Sequence, residues 1–302
     1  MNNNTKSIFI AITGRPNAGK STLMNTLVGD KVAIVSNKPQ TTRTRINGIL
    51  TQGDTQFVFI DTPGIHKGRN RLSDYMNKSI SESVKDVEIV VLVADCTKKI
   101  GRAELDIIAK LKSSEQNAVL VLNKVDLIKD KTKLLSIIEE YSELYPFKEI
   151  IPISAKDSNS RDILLPILSK YAIESPFYFP ENMVTDQSER AFIAEFVREK
   201  LLWFMNEEIP HGIAVEVESL KRRTNKDKKI LDIGVVIYCE KASHKGMIIG
   251  KQGQNLKKIA TLAREQLADV YEDTINLQCW VKVKENWRNH DTFINDMGLG
   301  SE

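Results

Sequence analysis

The sequence predicts an α/β chain in two parts: a mostly parallel sheet with helices on both faces, then a smaller α+β domain. Three observations carry that reading. From Ile8 to Tyr171, short β-branched runs alternate with longer runs whose apolar residues recur at helical spacing. A stretch with two prolines and three aromatics, Glu174 to Asp186, then breaks the alternation. Beyond it the order of elements changes to α-β-β-α-α-β.

In chain order, "IFIAIT", "TQFVFI", "EIVVLVAD", "AVLVLN" and "EIIPIS" have strand length and β-branched character, with turn residues at their C-terminal ends. Between them, "RLSDYMNKSISESV" places Leu72, Met76, Ile80 and Val84 on one helical face, and "RAELDIIAKLK" and "TKLLSIIEEYSELY" behave similarly. Strands alternating with helices give a parallel sheet covered on both sides, with ligands at the carboxyl ends of the strands. After the break, "SERAFIAEFVREKLLWFMNEE" reads as a long helix ended by Pro210 and Gly212. Two strands joined by a charged turn follow, "IAVEVESLKRR" and "KILDIGVVIYCE". "SHKGMIIGKQGQNLKKIATLAREQLADVY" is helix, Gly-bearing turn and helix, and "TINLQCWVKVKE" is the last strand. The boundaries expected are 1–175, a linker at 176–187, and 188–302 including a C-terminal tail.

With 302 residues, 41% hydrophobic and 27% charged, the chain has room for two ordinary soluble cores. The longest apolar runs are strand-sized, and "MNNNTK" is no secretory signal. Cys96, Cys239 and Cys279 form neither a metal spacing nor a disulfide framework, which indicates a reducing cytoplasm. Net charge is only +3, but Lys221 to Arg264 hold 12 basic residues against three acidic ones. That is a local basic patch, of the kind that meets phosphate.

"GRPNAGKS" spells Gly14, Arg15, Pro16, Asn17, Ala18, Gly19, Lys20 and Ser21, with Thr22 next, between a strand and a helix. It fits G-x-x-x-x-G-K-[ST]: backbone N–H groups curl around phosphates, Lys20 reaches the β- and γ-phosphates, and the Ser21 hydroxyl binds Mg²⁺. In "DTPG", Asp61 is placed to hold that Mg²⁺, Thr62 and Pro63 follow it, and the Gly64 N–H is a candidate γ-phosphate donor. Between the two lies "KPQTTRTR", where Thr41 or Thr42 could close over the metal, Thr42 being preferred. "NKVD" identifies the base: Asp126 accepts from guanine N1–H and the 2-amino group, where adenine has no donor. Lys124 lays its stem over the ring, Asn123 ties this loop to the phosphate loop, and "ISA" (Ile153, Ser154, Ala155) offers the Ala155 N–H to guanine O6. The nucleotide pair implied is GTP and GDP.

"GMIIGKQGQNLKKI" contains a G-x-x-G loop, Gly250, Lys251, Gln252 and Gly253, between two helices. Two glycines let a nucleic-acid backbone approach while Lys251 meets phosphate, and Ile248, Ile249 and Leu256 would line the apolar side of a groove. Lys245, Lys257 and Lys258 flank the loop, and "KRRTNKDKK" brings Lys221, Arg222 and Arg223. As a solvated hairpin tip that run needs no function; beside G-x-x-G, a phosphate-contacting role gains weight.

On "GRPNAGKS", "QTTRT", "DTPG", "NKVD" and "ISA", followed by the G-x-x-G loop in its α-β-β-α-α-β setting, the chain resembles the Era-like GTPases of the translation-factor class. The resemblance spans nearly the entire chain. It implies a P-loop GTPase domain followed by a type II KH domain. It also implies slow GTP hydrolysis, binding near the 3′ end of 16S ribosomal RNA, and action in assembly of the small (30S) subunit. A monomer, with peripheral contact on the cytoplasmic side of the cell membrane, completes the expectation. Ile65 stands where many GTPases carry glutamine, but Era-like proteins generally have a hydrophobic residue there. Related "PNxGKS" loops are thought to use K⁺, with Asn17 here as its candidate ligand, and Lys20, Asn17, Thr42 and Gly64 as the catalytic set. His66 reads as an exposed loop histidine. The competing readings are a GTPase adaptor, ribosome- or membrane-associated, whose KH-like module binds protein.

Overall fold

The computed structural model describes residues 5–38, 41–63, 70–83, 87–130, 132–205, 209–226 and 228–300. Two compact units emerge. The first runs from the N-terminal strand to Asp186; the second holds Gln187 onward, together with Ser36–Thr41 and the start of the second helix as far as Tyr75.

The first unit carries β1 (Lys6–Thr13), α1 (Lys20–Val28), β2 (Ile46–Gln52), β3 (Thr55–Asp61), the part of α2 (Arg71–Ser83) from Met76 on, β4 (Ile89–Asp95), α3 (Arg102–Ser113), β5 (Ala118–Asn123), α4 (Thr132–Leu144), β6 (Glu149–Pro152), α5 (Asn159–Ser169) and β7 (Ile173–Glu174). The sheet order is β2-β3-β1-β4-β5-β6, with β7 also pairing β1. β1, β3, β4, β5 and β6 are mutually parallel, and β2 is antiparallel to β3. β3, β4 and β5 are buried along their whole length, as expected for strands covered on both faces. Alternate residues feed two cores: Ile8, Ile10 and Ile12 pack on the α1/α5 side, Val90, Leu92 and Ala94 on the α3/α4 side. Leu72 and Met76 are buried as their helical spacing requires; Val84 and the side chain of Ile80 lie outside the described residues. The edge strand β2 was not foreseen: "INGILTQ" is short and contains Gly48, whose added Cβ would sit 2.9 Å from Val28.

The stretch after β7 is strapped to this unit. Gln56, fully buried, uses its side-chain amide completely. Its Nε2 donates to the Phe179 carbonyl (2.9 Å) and Thr51 Oγ1 (3.0 Å), and its Oε1 accepts from the Tyr178 and Phe179 amides (2.9 and 3.0 Å). Phe9 meets the Tyr178 ring edge-on, the Ile49 amide donates to Val184, and Asn47 bonds Asp186 at 2.6 Å.

The second unit is α6 (Glu189–Phe204), β8 (Ala214–Asn225), β9 (Lys228–Cys239), α7 (Ala242–Ile249), α8 (Gln254–Tyr271), β10 (Thr274–Val283) and α9 (Asp291–Asp296). Its sheet runs β10-β9-β8, with β9 parallel to β10 and antiparallel to β8. Ser188 caps α6 by accepting from the Ala191 amide. The core joins Ile193, Phe196 and Leu201 of α6, Ile259, Ala263 and Leu267 of α8, and Val235 and Ile237 of β9. Trp287, fully buried, donates its indole N–H to the Gly212 carbonyl at 2.9 Å and holds the tail in place. Among the described residues no helix is long and apolar enough to cross a membrane.

Candidate functional site

The first-domain motifs meet at the carboxyl ends of the strands. β1 ends at Thr13 and opens the phosphate loop; Asp61 ends β3, Asp95 ends β4 and Asn123 ends β5. Two glycines in the loop are set by close approach. A Cβ on Gly14 (φ 149°) would lie 2.3 Å from the Val93 carbonyl oxygen, and one on Gly19 (φ 105°) would lie 2.1 Å from Asn123 Nδ2. Asn17 occupies the left-handed corner between them at φ 63°.

Three expected metal ligands from three chain segments converge. Ser21 Oγ donates to Asp61 Oδ2 at 2.6 Å, Thr42 Oγ1 donates to the same oxygen at 2.9 Å, and the two hydroxyls are 3.0 Å apart. Asp61 Oδ1 is buried with no hydrogen-bond partner among the described residues. An all-oxygen set with a spare carboxylate oxygen suits a hard cation such as Mg²⁺. Thr41 takes no part: its hydroxyl donates to the Lys38 carbonyl at 2.7 Å and lies 2.9 Å from Ser36 Oγ. Gly64, with Ile65 and His66, lies outside the described residues.

Lys20 is 6% exposed and donates to the Gly14 and Arg15 carbonyls at 3.2 and 3.3 Å. Burial pushes its ammonium below the ordinary lysine value, with Asp61 opposing. Burial likewise pushes the Asp61 carboxyl up, against Lys20 and the hydrogen bonds from Ser21 and Thr42. A phosphate beside Lys20 and a dication beside Asp61 would each favour the ionised form. Thr62 spends its hydroxyl on the Ile12 carbonyl (2.9 Å), which orients the backbone after Asp61.

The base loop is built around Asn123. Its Nδ2 donates to the Ala18 carbonyl at 2.7 Å, joining the two nucleotide loops, and its Oδ1 accepts from the Lys124 and Ala155 amides at 2.7 and 2.8 Å. An O6 contact from Ala155 would therefore share its proton with Asn123. Lys124 (φ 70°) stretches its stem across the site and ends on Asp95 Oδ2 and the Asn17 carbonyl, both at 2.8 Å. Asp126 is exposed in the 3-10 turn Val125–Leu127, its carboxylate open to a ligand edge. Ser154 gives its carbonyl to Ser160 Oγ at 2.7 Å and so shapes the turn.

In the second unit, the G-x-x-G loop turns between α7 and α8 with three of its four residues at positive φ, Gly250 (φ 73°), Gln252 (φ 50°) and Gly253 (φ 77°). Lys245, Lys251, Gln252, Lys257 and Lys258 are exposed around it, and Asn255 fixes the loop by donating to the Met247 carbonyl at 2.9 Å. Ile248 departs from expectation. It is fully buried in the core and cannot line a groove, whereas Ile249 and Leu256 are half-buried at its rim. One residue along a helix turns the side chain by about 100°, so only one of the two isoleucines can face the sheet. Lys221, Arg222 and Arg223 are exposed on β8, Arg222 paired with Glu189 and Arg223 with Asp232.

Comparison with known proteins decides the family. Residues 9–124 match the family described as 50S ribosome-binding GTPase, and residues 208–288 match the KH domain. GTPase Era of Clostridioides difficile is 50% identical over 297 residues, covering 98% of this chain and 99% of that protein. The chain belongs to the Era family of GTPases. Era of Ruminiclostridium cellulolyticum is 47% identical over 97% of both chains. Two Era crystal structures each superpose with a TM-score of 0.93 at 34% identity, covering 98% of this chain and 100% of theirs. One is an Aquifex aeolicus Era variant bound to GDP·AlF₄⁻; the other is in complex with MgGDPNP and nucleotides 1506–1542 of 16S ribosomal RNA. As an Era-family member this chain is a GTPase with a P-loop domain and a C-terminal KH domain.

Motif reading missed two residues at this Era-type site. Asp95 holds Lys124, and Glu104 holds Arg15 at 3.0 Å. A carboxylate at a strand end hinted at the first. Nothing in sequence marked the second.

Proposed function

We propose that this chain is a GTP-hydrolysing switch that binds 16S ribosomal RNA near its 3′ end through its KH domain and acts in 30S subunit assembly. One observation supports this most: the Era structure solved with MgGDPNP and nucleotides 1506–1542 of 16S ribosomal RNA aligns with 98% of this chain. The exposed lysines around Gly250–Gly253, with Lys221, Arg222 and Arg223, are the RNA-facing charges of this reading, and Ile248 acts beneath them as support.

In the GTPase half, Ser21, Thr42 and Asp61 would hold Mg²⁺, which when bound neutralises charge on the β- and γ-phosphates. Lys20 turns from the loop carbonyls to the phosphates, the amides of residues 14–19 cradle them, and Asn123, Lys124, Asp126 and the 154–155 turn seat guanine. Phosphoryl transfer is mostly positioning and charge stabilisation, so no dedicated protein base is required. Asn17 at its left-handed corner is the proposed K⁺ ligand. Equal turnover in K⁺ and Na⁺, unchanged by Asn17→Ala, would remove the ion from the reading. The protein works as a monomer in the cytoplasm, with peripheral contact at the membrane tested by flotation with vesicles.

Crosslinking to cellular RNA with a GTP analogue and with GDP, followed by sequencing, tests the whole. A footprint at the 3′ end of 16S ribosomal RNA is expected. An even spread over messenger RNAs overturns it.

A further inference from the structure

Three residues of the phosphate loop are held from outside the loop. The Asn17 carbonyl accepts from Lys124, the Ala18 carbonyl from Asn123, and Arg15 is held by Glu104 of α3. The first two ties belong to the base-reading motif. The third comes from a helix that carries none.

Arg15 does not turn its charge toward the phosphate-binding interior of its own loop. Its Nε pairs with Glu104 Oε1 at 3.0 Å, and its terminal nitrogens donate to the Lys99 and Asp95 carbonyls at 3.5 Å. Glu104 is 1% exposed, and its second oxygen accepts from the Gly101 amide at 3.1 Å, capping α3. The carboxylate is thus divided between a helix start and the loop. Beside it, Gly14 lies against the Val93 carbonyl, so residues 14 and 15 are both registered on β4 and the segment that follows it.

We infer that Glu104 is a positioning residue for GTP binding and hydrolysis, acting through Arg15 to fix the first corner of the phosphate loop. The loop works by aiming amides at phosphate oxygens, and preset donors avoid reorganisation when the ligand arrives. Removing the carboxylate leaves a mostly buried guanidinium without its counter-charge, and the guanidinium must then move to find water or phosphate. The corner it carries moves with it.

The test uses the full chain with Glu104→Gln, which keeps an oxygen for the Gly101 amide, Arg15→Gln, and the double variant. Affinity for fluorescent GDP and a non-hydrolysable GTP analogue is measured well below each thermal midpoint, with kcat and KM for GTP. Each single variant should weaken both nucleotides about tenfold and lower kcat, less than the ~100-fold that a 1 Å misplacement can cost. The double should be no worse than either single, and guanine-over-xanthine preference should persist, since Asp126 reads the base separately. Unchanged affinity and kcat per folded molecule with a lowered midpoint would reduce Glu104 to a helix cap and overturn the inference. So would additive losses in the double variant.

Discussion

A methyl group on Gly19 would lie 2.1 Å from Asn123 Nδ2, the atom that bonds the Ala18 carbonyl and joins the phosphate loop to the base loop. Gly19→Ala is therefore expected to separate the loops and to strain a φ of 105° as well. Nucleotide affinity should fall by more than about 100-fold, a loss of at least ~2.7 kcal/mol. Calorimetric titration with GDP checks it; binding within threefold of the parent would contradict it.

Ser21 and Thr42 share one carboxylate oxygen of Asp61, and the other has no hydrogen-bond partner among the described residues. In the parent, chelating Mg²⁺ should weaken GTP binding by at least about tenfold, since even losing a partner of a metal ligand costs about 10–100-fold. Ser21→Ala should bind GTP weakly with or without the metal. Titrations in Mg²⁺ and in chelator decide it: a variant that still gains tenfold from Mg²⁺ places the ion elsewhere.

Gln56 satisfies four partners from inside the first unit. Gln56→Leu should take the partner from the part-buried Tyr178 and Phe179 amides and cost about 1–3 kcal/mol, the scale of an unmade hydrogen bond. Urea unfolding would show the loss, and limited proteolysis should open residues 176–186 first. Parent-like stability would mean that the strap is held by its other contacts.

Burial, with the Asp95 carboxylate adding to it, pushes the Cys96 thiol up to about 11 from an ordinary 9.0. A thiol that keeps its proton better when folded stabilises the protein fully below the unfolded pKa. That contribution is lost as pH rises from about 9 to about 11. Denaturant midpoints across this window should fall, and less steeply for Cys96→Ala. Alkylation at neutral pH should leave Cys96 untouched, because it is buried and donates to the Asn123 carbonyl at 2.8 Å.

How far the sequence reached depended on whether a function is written in contiguous chain. The phosphate loop, "NKVD" and the G-x-x-G turn are read from fixed offsets, because backbone amides and neighbouring side chains do the recognising. Strand and helix periodicity likewise located the two cores, and the α-β-β-α-α-β order pointed to a KH domain. Other features depend on which distant residues share a volume. Ser21, Thr42 and Asp61 meet from α1, the following loop and β3; Glu104 finds Arg15 across 89 positions; Gln56 holds a stretch that composition marked only as a linker. Ile248 points inward and Ile249 to the rim because a helix has one face to give the sheet, and periodicity over eight residues is too short to say which. Local chemistry repeats at fixed spacing and can be recognised in one dimension; a contact between remote side chains exists only after the sheet has closed around it.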